Sequence, residues 1–205
     1  MADAWWDERY AGTDRVWSGN PNVVLVREVT GLPPARALDL GCGEGADAIW
    51  LARQGWTVTG VDISGVALER AARHAEEAGV KVDFQRHDLY ESFPDGEFDL
   101  VSAQFLHSYG DFPRGAILRR AAQAVAPGGI LLIESHLDHG PFGHQAHDHP
   151  PVHFATPAEM LEDLCLPEGE WEVLVSEEHD REQNGPDGRP AHRTDSTLKL
   201  RRKTR

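Results

Sequence analysis

The residues best suited to chemistry stand where a strand-like run meets a cluster of glycines. Residues 39–45, Asp-Leu-Gly-Cys-Gly-Glu-Gly, follow the apolar run 35–38. This pattern predicts a buried strand that ends in an acidic residue, turns through glycines and enters a helix. The glycines let the backbone bend tightly and leave room for a ligand against bare main chain. Asp62 ends the next apolar run, 56–61, where a carboxylate can accept both hydroxyl protons of a ribose. The two patterns together predict a site for a nucleoside-bearing cofactor.

The kind of cofactor depends on the acidic residue in front of the glycines. Gly41-x-Gly43-x-x-Ala46 also fits a loose dinucleotide fingerprint, with Asp62 about 20 residues further on. Asp39 stands two positions before the first glycine, where it would repel a pyrophosphate but attract a cationic group. S-Adenosylmethionine carries a sulfonium and an ammonium and has no phosphate. The sequence therefore favours S-adenosylmethionine over a nicotinamide dinucleotide.

Several segments resemble a known family. Residues 39–45 resemble motif I of the class I S-adenosylmethionine-dependent methyltransferases, and residues 61–64 resemble their motif II. Later segments that match the same family in order are 86–89, 98–102 and 126–132. The N-terminal segments 5–10 and 17–22 are similar to small bacterial members of the tellurite-resistance and quinone-type kinds.

The resemblance implies how the cofactor would be held. Gly41 and Gly43 would let the backbone pass the methionine part, and Asp39 would lie near its ammonium. Asp62 would hold the ribose hydroxyls, and Ile63 would pack on the adenine. The remaining implied contacts are Asp88 with the adenine amino group, Leu89 beside it, Gln104 at the carboxyl end of the fourth strand, and Trp17 over the methionine end.

Three of these residues also have purely structural explanations, which the sequence leaves open. Asp62 precedes a predicted helix and could cap it. Asp88 could be an ordinary turn residue at a strand end. Trp17 could serve packing alone.

His107 and Tyr109 are the candidate catalytic residues. They follow the fourth strand, on the sheet edge that would face the transferred methyl group. A neutral imidazole there can take a proton from a hydroxyl, amine or thiol, because its pKa lies close to physiological pH. The alternative is that His107 lines the pocket without proton transfer. Methyl transfer from a sulfonium needs alignment and exclusion of water above all, so a catalytic base is not required.

A histidine-rich loop, residues 137–155, follows the fifth strand. The histidines in and just before it are His136, His139, His144, His147, His149 and His153. Imidazoles at such spacing could bind zinc, nickel or copper. The loop has no cysteine, and Pro141, Pro150 and Pro151 favour an extended chain over a metal-holding scaffold. We predict a pocket wall or lid and no metal site, with a solvated loop and a metal site as the alternatives.

Helical and strand patterns alternate along the chain, which predicts a parallel sheet with helices on both faces. The predicted strands are 35–40, 57–62, 80–86, 98–105, 130–135, 171–179 and 193–201. The predicted helices are 3–10, 22–30, 45–53, 64–78, 113–125 and 157–164. A turn signal at 184–188 joins the last two strands into an antiparallel hairpin. The predicted fold class is α/β, a Rossmann-like, seven-stranded and mostly parallel sheet with an antiparallel C-terminal hairpin.

Composition limits the class of protein. A chain of 205 residues predicts one domain, 1–205, in which residues 1–34 form an N-terminal helical lid. The formal net charge of −14 disfavours a nucleic acid as the main partner. Cys42 and Cys165 form neither a disulfide framework nor a zinc quartet. The N-terminus has no secretory signal, and no run reaches membrane-spanning length. We expect a cytoplasmic protein, monomeric or homodimeric, without a membrane partner.

These patterns predict an enzyme that moves a methyl group from S-adenosylmethionine to a small-molecule acceptor and leaves S-adenosylhomocysteine. One alternative is an NAD-dependent oxidoreductase, which the loose glycine match supports. The other is a non-enzymatic metal-binding protein that uses the histidine-rich loop.

Overall fold

The fold is built on one seven-stranded sheet. The computed structural model describes residues 2–108, 112–138, 154–184 and 189–204. Its strands are β1 (Arg36–Leu40), β2 (Thr57–Asp62), β3 (Asp83–Arg86), β4 (Phe98–Gln104), β5 (Val125–His136), β6 (Trp171–Asn184) and β7 (Pro190–Arg202). Its helices are α1 (Ala2–Ala11), α2 (Val23–Val29), α3 (Ala46–Arg53), α4 (Gly65–Glu77), α5 (Arg114–Gln123) and α6 (Pro157–Asp163).

The strand order places a ligand crevice beside β1. The order is β3-β2-β1-β4-β5-β7-β6, with β1 to β5 parallel and β7 antiparallel to both of its neighbours. Because β2 and β4 lie on opposite sides of β1, the chain reverses its direction of travel across the sheet there. In open α/β sheets such a reversal leaves a crevice outside the carboxyl ends of the strands. The predicted fold class is confirmed.

Two apolar clusters cover the two faces of the sheet. Successive side chains of a strand point to opposite faces, so Ala37 and Leu38 of β1 belong to different clusters. Leu38 packs in the cluster that contains Met160 of α6, and Ala37 packs in the cluster that contains Leu25 of α2. Full burial of each such leucine or methionine stabilises the fold by about 1.5–3 kcal/mol. The sheet is therefore a rigid platform for the residues at its carboxyl edge.

Two predicted helix starts are confirmed. Ser64 caps α4, and its Oγ accepts the Ala67 N–H at 3.1 Å. At α6, Thr156 and Glu159 form both halves of a capping box, with Pro157 at the first helical position. These caps satisfy backbone donors that a helix N-terminus otherwise leaves unpaired.

The predicted start of the third strand is wrong by three residues. The strand was expected at 80–86, but β3 begins at Asp83. The Val80 N–H donates to the Ala75 carbonyl at 3.0 Å and the Gly79 N–H donates to Glu76, so these residues close α4 instead. Alternation of apolar residues from position 80 gave a strand signal that the helix end overrides.

The boundary between α5 and β5 also differs from the prediction. The helix ends at Gln123 and the strand begins at Val125, whereas 113–125 and 130–135 were expected. Val125 pairs with Phe98 and Ile130 pairs with Leu100, so the intervening residues bulge out of the ladder. Gly128, at φ +83°, provides the left-handed conformation that the bulge needs. Residues 127–129, predicted as a turn, thus lie inside an irregular strand.

The C-terminal hairpin is longer than predicted. Its strands reach Asn184 and start again at Pro190, and their pairing runs from Trp171↔Arg202 to Asn184↔Pro190 with one register shift between Val173 and Val175. Polar residues fill these outer parts, so no apolar alternation marks them in the sequence. Residues 185–188 of the predicted turn lie outside the described residues.

Candidate cofactor and acceptor site

The glycine turn after β1 is held against β2 by its own backbone. The N–H groups of Gly41 and Cys42 both donate to the Val61 carbonyl, at 2.8 and 2.9 Å. Gly41 and Gly43 have φ values of +71° and +52°. A Cβ atom on Gly41 would lie 2.7 Å from a methyl carbon of Leu106, so a side chain is excluded there by space as well as by conformation. The turn presents bare backbone at the crevice.

A group of buried carboxylates lies under this turn. Asp39 is 2% exposed, and its Oδ2 has no hydrogen-bond partner among the described residues. Burial raises the pKa of Asp39 well above its usual value, and repulsion from Asp47 and Asp62 adds to the rise. An unpartnered buried polar group costs about 1–3 kcal/mol, and a charged one costs more. The site is therefore suited to a cationic group that would pair with Asp39.

Asp62 ties the glycine turn to the start of α4. Its Oδ2 accepts the Gly43 N–H and its Oδ1 accepts the Ser64 N–H, both at 2.9 Å. Burial raises the pKa of Asp62, and these N–H groups act against that rise. A carboxylate has about four acceptor positions, so at least one remains beside the N–H groups of Gly43, Ser64 and Ile63. The structure thus gives Asp62 the structural role at the helix start and leaves room for the predicted ribose role.

The predicted adenine contacts lie around the ends of β2 and β3. Ile63 is partly exposed, and its carbonyl accepts from Arg86 Nε at 2.9 Å. Asp88 is exposed, and its Oδ1 accepts the Tyr90 N–H at 3.0 Å in a turn. Leu89 is buried in the core. Asp88 therefore has the turn role that the sequence left open, and its binding role stays a prediction.

The N-terminal segment is fastened to the glycine turn by a residue that sequence reasoning missed. Glu44 accepts from the Val16 and Trp17 N–H groups, each at 3.1 Å, and from Arg70 at 2.9 Å. Trp17 is 48% exposed, and its Nε1 donates to the Tyr10 hydroxyl at 3.0 Å. Glu44 was quoted as part of the glycine motif, but nothing in the motif indicates its partners.

Tyr10 covers the middle of the turn. Its hydroxyl lies 2.9 Å from where a Cβ atom on Gly43 would stand, and Trp17 Nε1 lies 3.4 Å from that point. Burial raises the pKa of the Tyr10 hydroxyl, and Asp62 raises it further. The sequence gives no sign of this contact of Tyr10, because tertiary packing sets it. The predicted contact of Trp17 with the methionine end stays a prediction.

Helix α1 spans the crevice from one side to the other. Asp7 accepts from Ser64 Oγ at 2.6 Å and from the Val66 N–H at 3.3 Å, at the N-terminus of α4. The preceding residue, Trp6, donates its Nε1–H to Ser108 Oγ at 3.1 Å, in the segment after β4. A carboxylate at a helix N-terminus is favourable because of the helix dipole. These contacts are what a cover over the cofactor crevice requires, and the lid remains a prediction.

Gln104 ends β4 next to this crevice. It is 7% exposed, its Nε2 donates to Ser102 Oγ at 3.1 Å, and its Oε1 lacks a hydrogen-bond partner within the described part of the chain. The next residue, Phe105, has φ +52°, a strained conformation for a bulky side chain. The chain therefore turns sharply at the end of β4 and leaves Gln104 at the crevice.

His107 lies behind this turn and is partly buried. Its Nε2 lies 3.4 Å from Ser135 Oγ and accepts the His136 N–H at 3.4 Å. Burial lowers the pKa of His107 to about 2, with a further contribution from the charge of Arg114. An imidazole with this pKa binds protons weakly at neutral pH, so its predicted role as a base stays a prediction that the electrostatics do not favour. Tyr109 lies outside the described residues.

A second polar group, on β5, β6 and β7, was missed by sequence reasoning. Glu134 is 1% exposed, its Oε2 accepts from Thr197 Oγ1 at 2.6 Å, and its Oε1 lies 2.9 Å from His179 Nε2. Burial raises the pKa of Glu134 to about 8. Two residues further along β5, His136 Nδ1 lies 2.7 Å from Oδ1 of Asp195, the residue opposite it on β7. Three consecutive polar residues at the end of an otherwise apolar strand, 134–136, were the signal that could have revealed this group.

The described residues contain no group of three or more histidine, cysteine, aspartate or glutamate side chains that could hold a metal ion. His136 is paired with Asp195. The other histidines of the histidine-rich loop are His139, His144, His147, His149 and His153, and they lie outside the described residues. In the described part of the chain, no helix is both long enough and apolar enough to cross a bilayer.

Comparisons with known proteins agree with the resemblance drawn from the motifs. Residues 37–129 match the family profile of a methyltransferase domain. A ubiquinone biosynthesis O-methyltransferase of Escherichia coli is 33% identical over 141 residues, which cover 66% of this chain and 57% of that protein. The chain thus spans less than two thirds of the length of the curated relatives that it matches.

Solved structures agree with the fold. The N-methyltransferase NodS of Bradyrhizobium japonicum, in complex with S-adenosylhomocysteine, superposes with a TM-score of 0.71 at 17% identity and covers 98% of this chain and 99% of that one. A chain from a structure on the conversion of a disulfide bond into a thioacetal group during echinomycin biosynthesis gives a TM-score of 0.76 at 24% identity, over 99% and 92%. At these identities the likeness concerns the fold.

Proposed function

We propose that this chain, a member of the class I S-adenosylmethionine-dependent methyltransferases, transfers a methyl group from S-adenosylmethionine to a small-molecule acceptor. The observation that carries the proposal is Asp39, a buried carboxylate with an unpartnered oxygen beside the bare backbone of Gly41 and Gly43. A sulfonium cofactor with a free ammonium fits that site, whereas a pyrophosphate would meet three neighbouring carboxylates. The same observation disfavours the NAD-dependent alternative.

The residues that would hold the methionine part and the ribose surround the glycine turn. Asp39 would pair with the ammonium, and Gly41 and Gly43 would lie against the methionine chain. Asp62 would accept from the ribose hydroxyls at the acceptor positions that its backbone partners leave open. Trp17 would cover the methionine end, supported by its contact with Tyr10 above Gly43.

The adenine side and the methyl side would be formed by later strands. Ile63 would pack on the adenine, and Asp88 would accept from its amino group with Leu89 beside it. The exposed position of Asp88 next to β3 supports this placement. Gln104, with its free Oε1, would lie nearest to the methyl group.

The chain's contribution to the reaction is alignment and exclusion of water. The bound cofactor supplies an activated methyl group on a good leaving group. Helix α1 and residues 16–17 would close the crevice, since they are held to the turn by Glu44 and to α4 by Asp7. Orientation of the reactants can lower the barrier by roughly 7–11 kcal/mol at best. His107 would line the acceptor side, because its lowered pKa disfavours proton transfer to it.

The acceptor class follows from the relatives and from charge. The name of the matched Escherichia coli relative describes O-methylation, so an oxygen acceptor on a small molecule is our first candidate. The net charge of −14 disfavours nucleic acid. Two free cysteines, one of them exposed, support a reducing cytoplasmic location. We propose a monomer or homodimer as the functional unit.

The proposal is tested by measuring ligand binding with S-adenosylhomocysteine and NAD. A ligand at one hundred times its Kd adds about 2.7 kcal/mol to the free energy of unfolding. We expect S-adenosylhomocysteine to raise the melting temperature and to bind in calorimetry, and NAD to do neither. Tight binding of NAD without binding of S-adenosylhomocysteine would refute the proposal.

A further inference from the structure

A row of buried oxygens without hydrogen-bond partners crosses three neighbouring strands. Within the described residues these atoms are Asp39 Oδ2 on β1, Gln104 Oε1 on β4 and Glu134 Oε1 on β5. Asp39 stands opposite Ser102, and Gln104 stands opposite Glu134. Because side chains two residues apart share a face, all three oxygens lie on one face of the sheet at its carboxyl edge.

Every atom of this row is a hydrogen-bond acceptor, so the row needs donors. Gln104 donates its amide nitrogen to Ser102 Oγ, and this leaves its Oε1 on the row. The proposed function gives Asp39 a donor, the ammonium of the cofactor. Glu134 lies further along the same row, on the side away from that ammonium. A molecule that bound beside the methyl group would satisfy Glu134 only if it presented an O–H or N–H group.

Glu134 also has a route by which a proton can leave. Its Oε1 lies 2.9 Å from His179 Nε2. The hydrogen bond of that nitrogen is directed instead to Thr197 Oγ1, at 3.2 Å. The His179 side chain is 23% exposed. Small rotations of the imidazole therefore connect a buried carboxyl group with solvent.

We propose that Glu134 is the catalytic base and that the acceptor is a protic hydroxyl or amine; this inference rests on the proposed function. Glu134 takes the proton from the oxygen or nitrogen while that atom forms its bond to the methyl carbon. The carbon–sulfur bond breaks, and its electron pair remains on sulfur. The proton then passes from Glu134 to His179 and to solvent, so that charge and atoms balance.

The cations around Glu134 are paired with other carboxylates, and this leaves Glu134 free to accept the proton. They are Arg27 and Glu28 on α2, Glu177, His179 and Arg181 on β6, and Asp195 and Lys199 on β7. Arg27 is paired with Glu177, and Lys199 with Glu28. Arg181 lies 2.6 Å from Asp195. A pKa raised to about 8 places Glu134 close to the range in which a base works best at physiological pH.

The test compares Glu134→Gln, Glu134→Asp and the control Glu178→Gln in the full chain. Glu178 lies exposed on β6 opposite Ser196, one residue out of register with the face that carries Glu134. Calorimetry with S-adenosylhomocysteine comes first, and we expect the same Kd within twofold for all variants. Absence of binding in the wild type would refute the proposed function itself, whereas binding allows the base to be judged separately.

Turnover is then followed as S-adenosylhomocysteine release with catechol, benzylamine and sodium selenite as probe acceptors. We expect methylation of catechol or benzylamine and not of selenite, because Glu134 in its deprotonated, working form would repel an oxyanion. Glu134→Gln should lower kcat by roughly 10²–10⁴-fold with little change in KM, and should abolish the rise of kcat/KM with pH. Glu134→Asp, which keeps the carboxylate, should retain an intermediate kcat and the pH dependence. Glu178→Gln should match the wild type.

A readout independent of turnover is the infrared carbonyl band of a protonated carboxyl group. At pH 7 the wild type should show this band and Glu134→Gln should lack it. The inference is overturned if selenite alone is methylated, if Glu134→Gln keeps the wild-type kcat and pH profile, or if a protein that binds S-adenosylhomocysteine turns over neither catechol nor benzylamine. If Glu134→Gln does not fold, Glu134→Asp decides the question. An unchanged kcat in Glu134→Asp would count against a base that must stand at one fixed position.

Discussion

Replacement of Asp39 by asparagine should change stability and cofactor affinity in opposite directions. The substitution keeps the size of the side chain and removes the charge of a group that is 2% exposed and has an unpartnered oxygen. A hydrogen bond to a charged group contributes about 1.5–3 kcal/mol. Loss of the ammonium's partner should therefore weaken S-adenosylhomocysteine binding about 10- to 150-fold. Removal of repulsion from Asp47 and Asp62 should raise the free energy of unfolding of the unliganded protein by about 1–3 kcal/mol.

The pH dependence provides a second signature of the same residue. The pKa of Asp39 is raised in the folded protein, so the folded state binds the proton more tightly than the unfolded state does. Its favourable contribution is complete below the unfolded pKa and is lost as the pH rises through the folded pKa. The stability gap between the wild type and Asp39→Asn should therefore be widest at neutral pH and should narrow as the pH falls to about 4.

Calorimetric titration gives the affinity and urea unfolding gives the stability. Asp83→Asn is the matched control, since Asp83 lies exposed on β3 and its carboxylate accepts a hydrogen bond from the Gln85 side chain two residues further on. It should leave the Kd unchanged and alter stability by less than about 0.5 kcal/mol. An Asp39→Asn protein that binds S-adenosylhomocysteine as tightly as the wild type, or that is less stable without ligand, would refute the reasoning.

Three further predictions concern the turn, the N-terminal segment and the β5 carboxylate. Gly41→Ala and Gly79→Ala both place a side chain at a positive φ, but of these two positions only Gly41 has a neighbouring atom that the new Cβ would meet. In urea unfolding, Gly41→Ala should therefore be less stable than Gly79→Ala by about 1–3 kcal/mol, and equal losses would contradict this. Glu44→Gln should weaken the hydrogen bonds that hold residues 16–17 to the glycine turn, so trypsin should cleave after Arg15 faster than in the wild type. An unchanged cleavage rate would argue against this role of Glu44. Burial raises the pKa of Glu134 in the folded protein, so the stabilising effect of this group is complete below its usual pKa of 4.5 and is lost as the pH rises to about 8. Between these pH values the free energy of unfolding should fall less steeply with pH in Glu134→Gln than in the wild type. Identical slopes would exclude a raised pKa.

The local features that the sequence predicted well are those with short-range causes. The helix starts at residues 64 and 157 were predicted closely, because the hydroxyls of Ser64 and Thr156 satisfy backbone donors only three residues away. The tight turn was predicted because positive φ values select glycine whatever surrounds them. The parallel sheet followed from the alternation of strand and helix patterns.

Element boundaries were less predictable because they depend on partners distant in sequence. The start of β5 at Val125 is set by pairing with Phe98, and the length of the hairpin is set by pairing out to Pro190. Neither partner is visible in the local pattern. The predicted strand from Val80 failed because closure of α4 used that backbone.

The sequence by itself predicted the proposed cofactor half of the site, since Asp39, the glycines and Asp62 lie within 24 residues at the ends of two successive strands. Only the tertiary structure brought together the residues of the proposed acceptor half. Gln104 was predicted from its place at a strand end, but Glu134, His179 and Thr197 come from three other strands and meet only through sheet register. Their burial, which raises the pKa of Glu134, and the burial that lowers the pKa of His107, arise from packing of the whole chain. The physical reason is that a desolvation energy depends on every neighbour in space, whereas a turn depends on the few residues that make it.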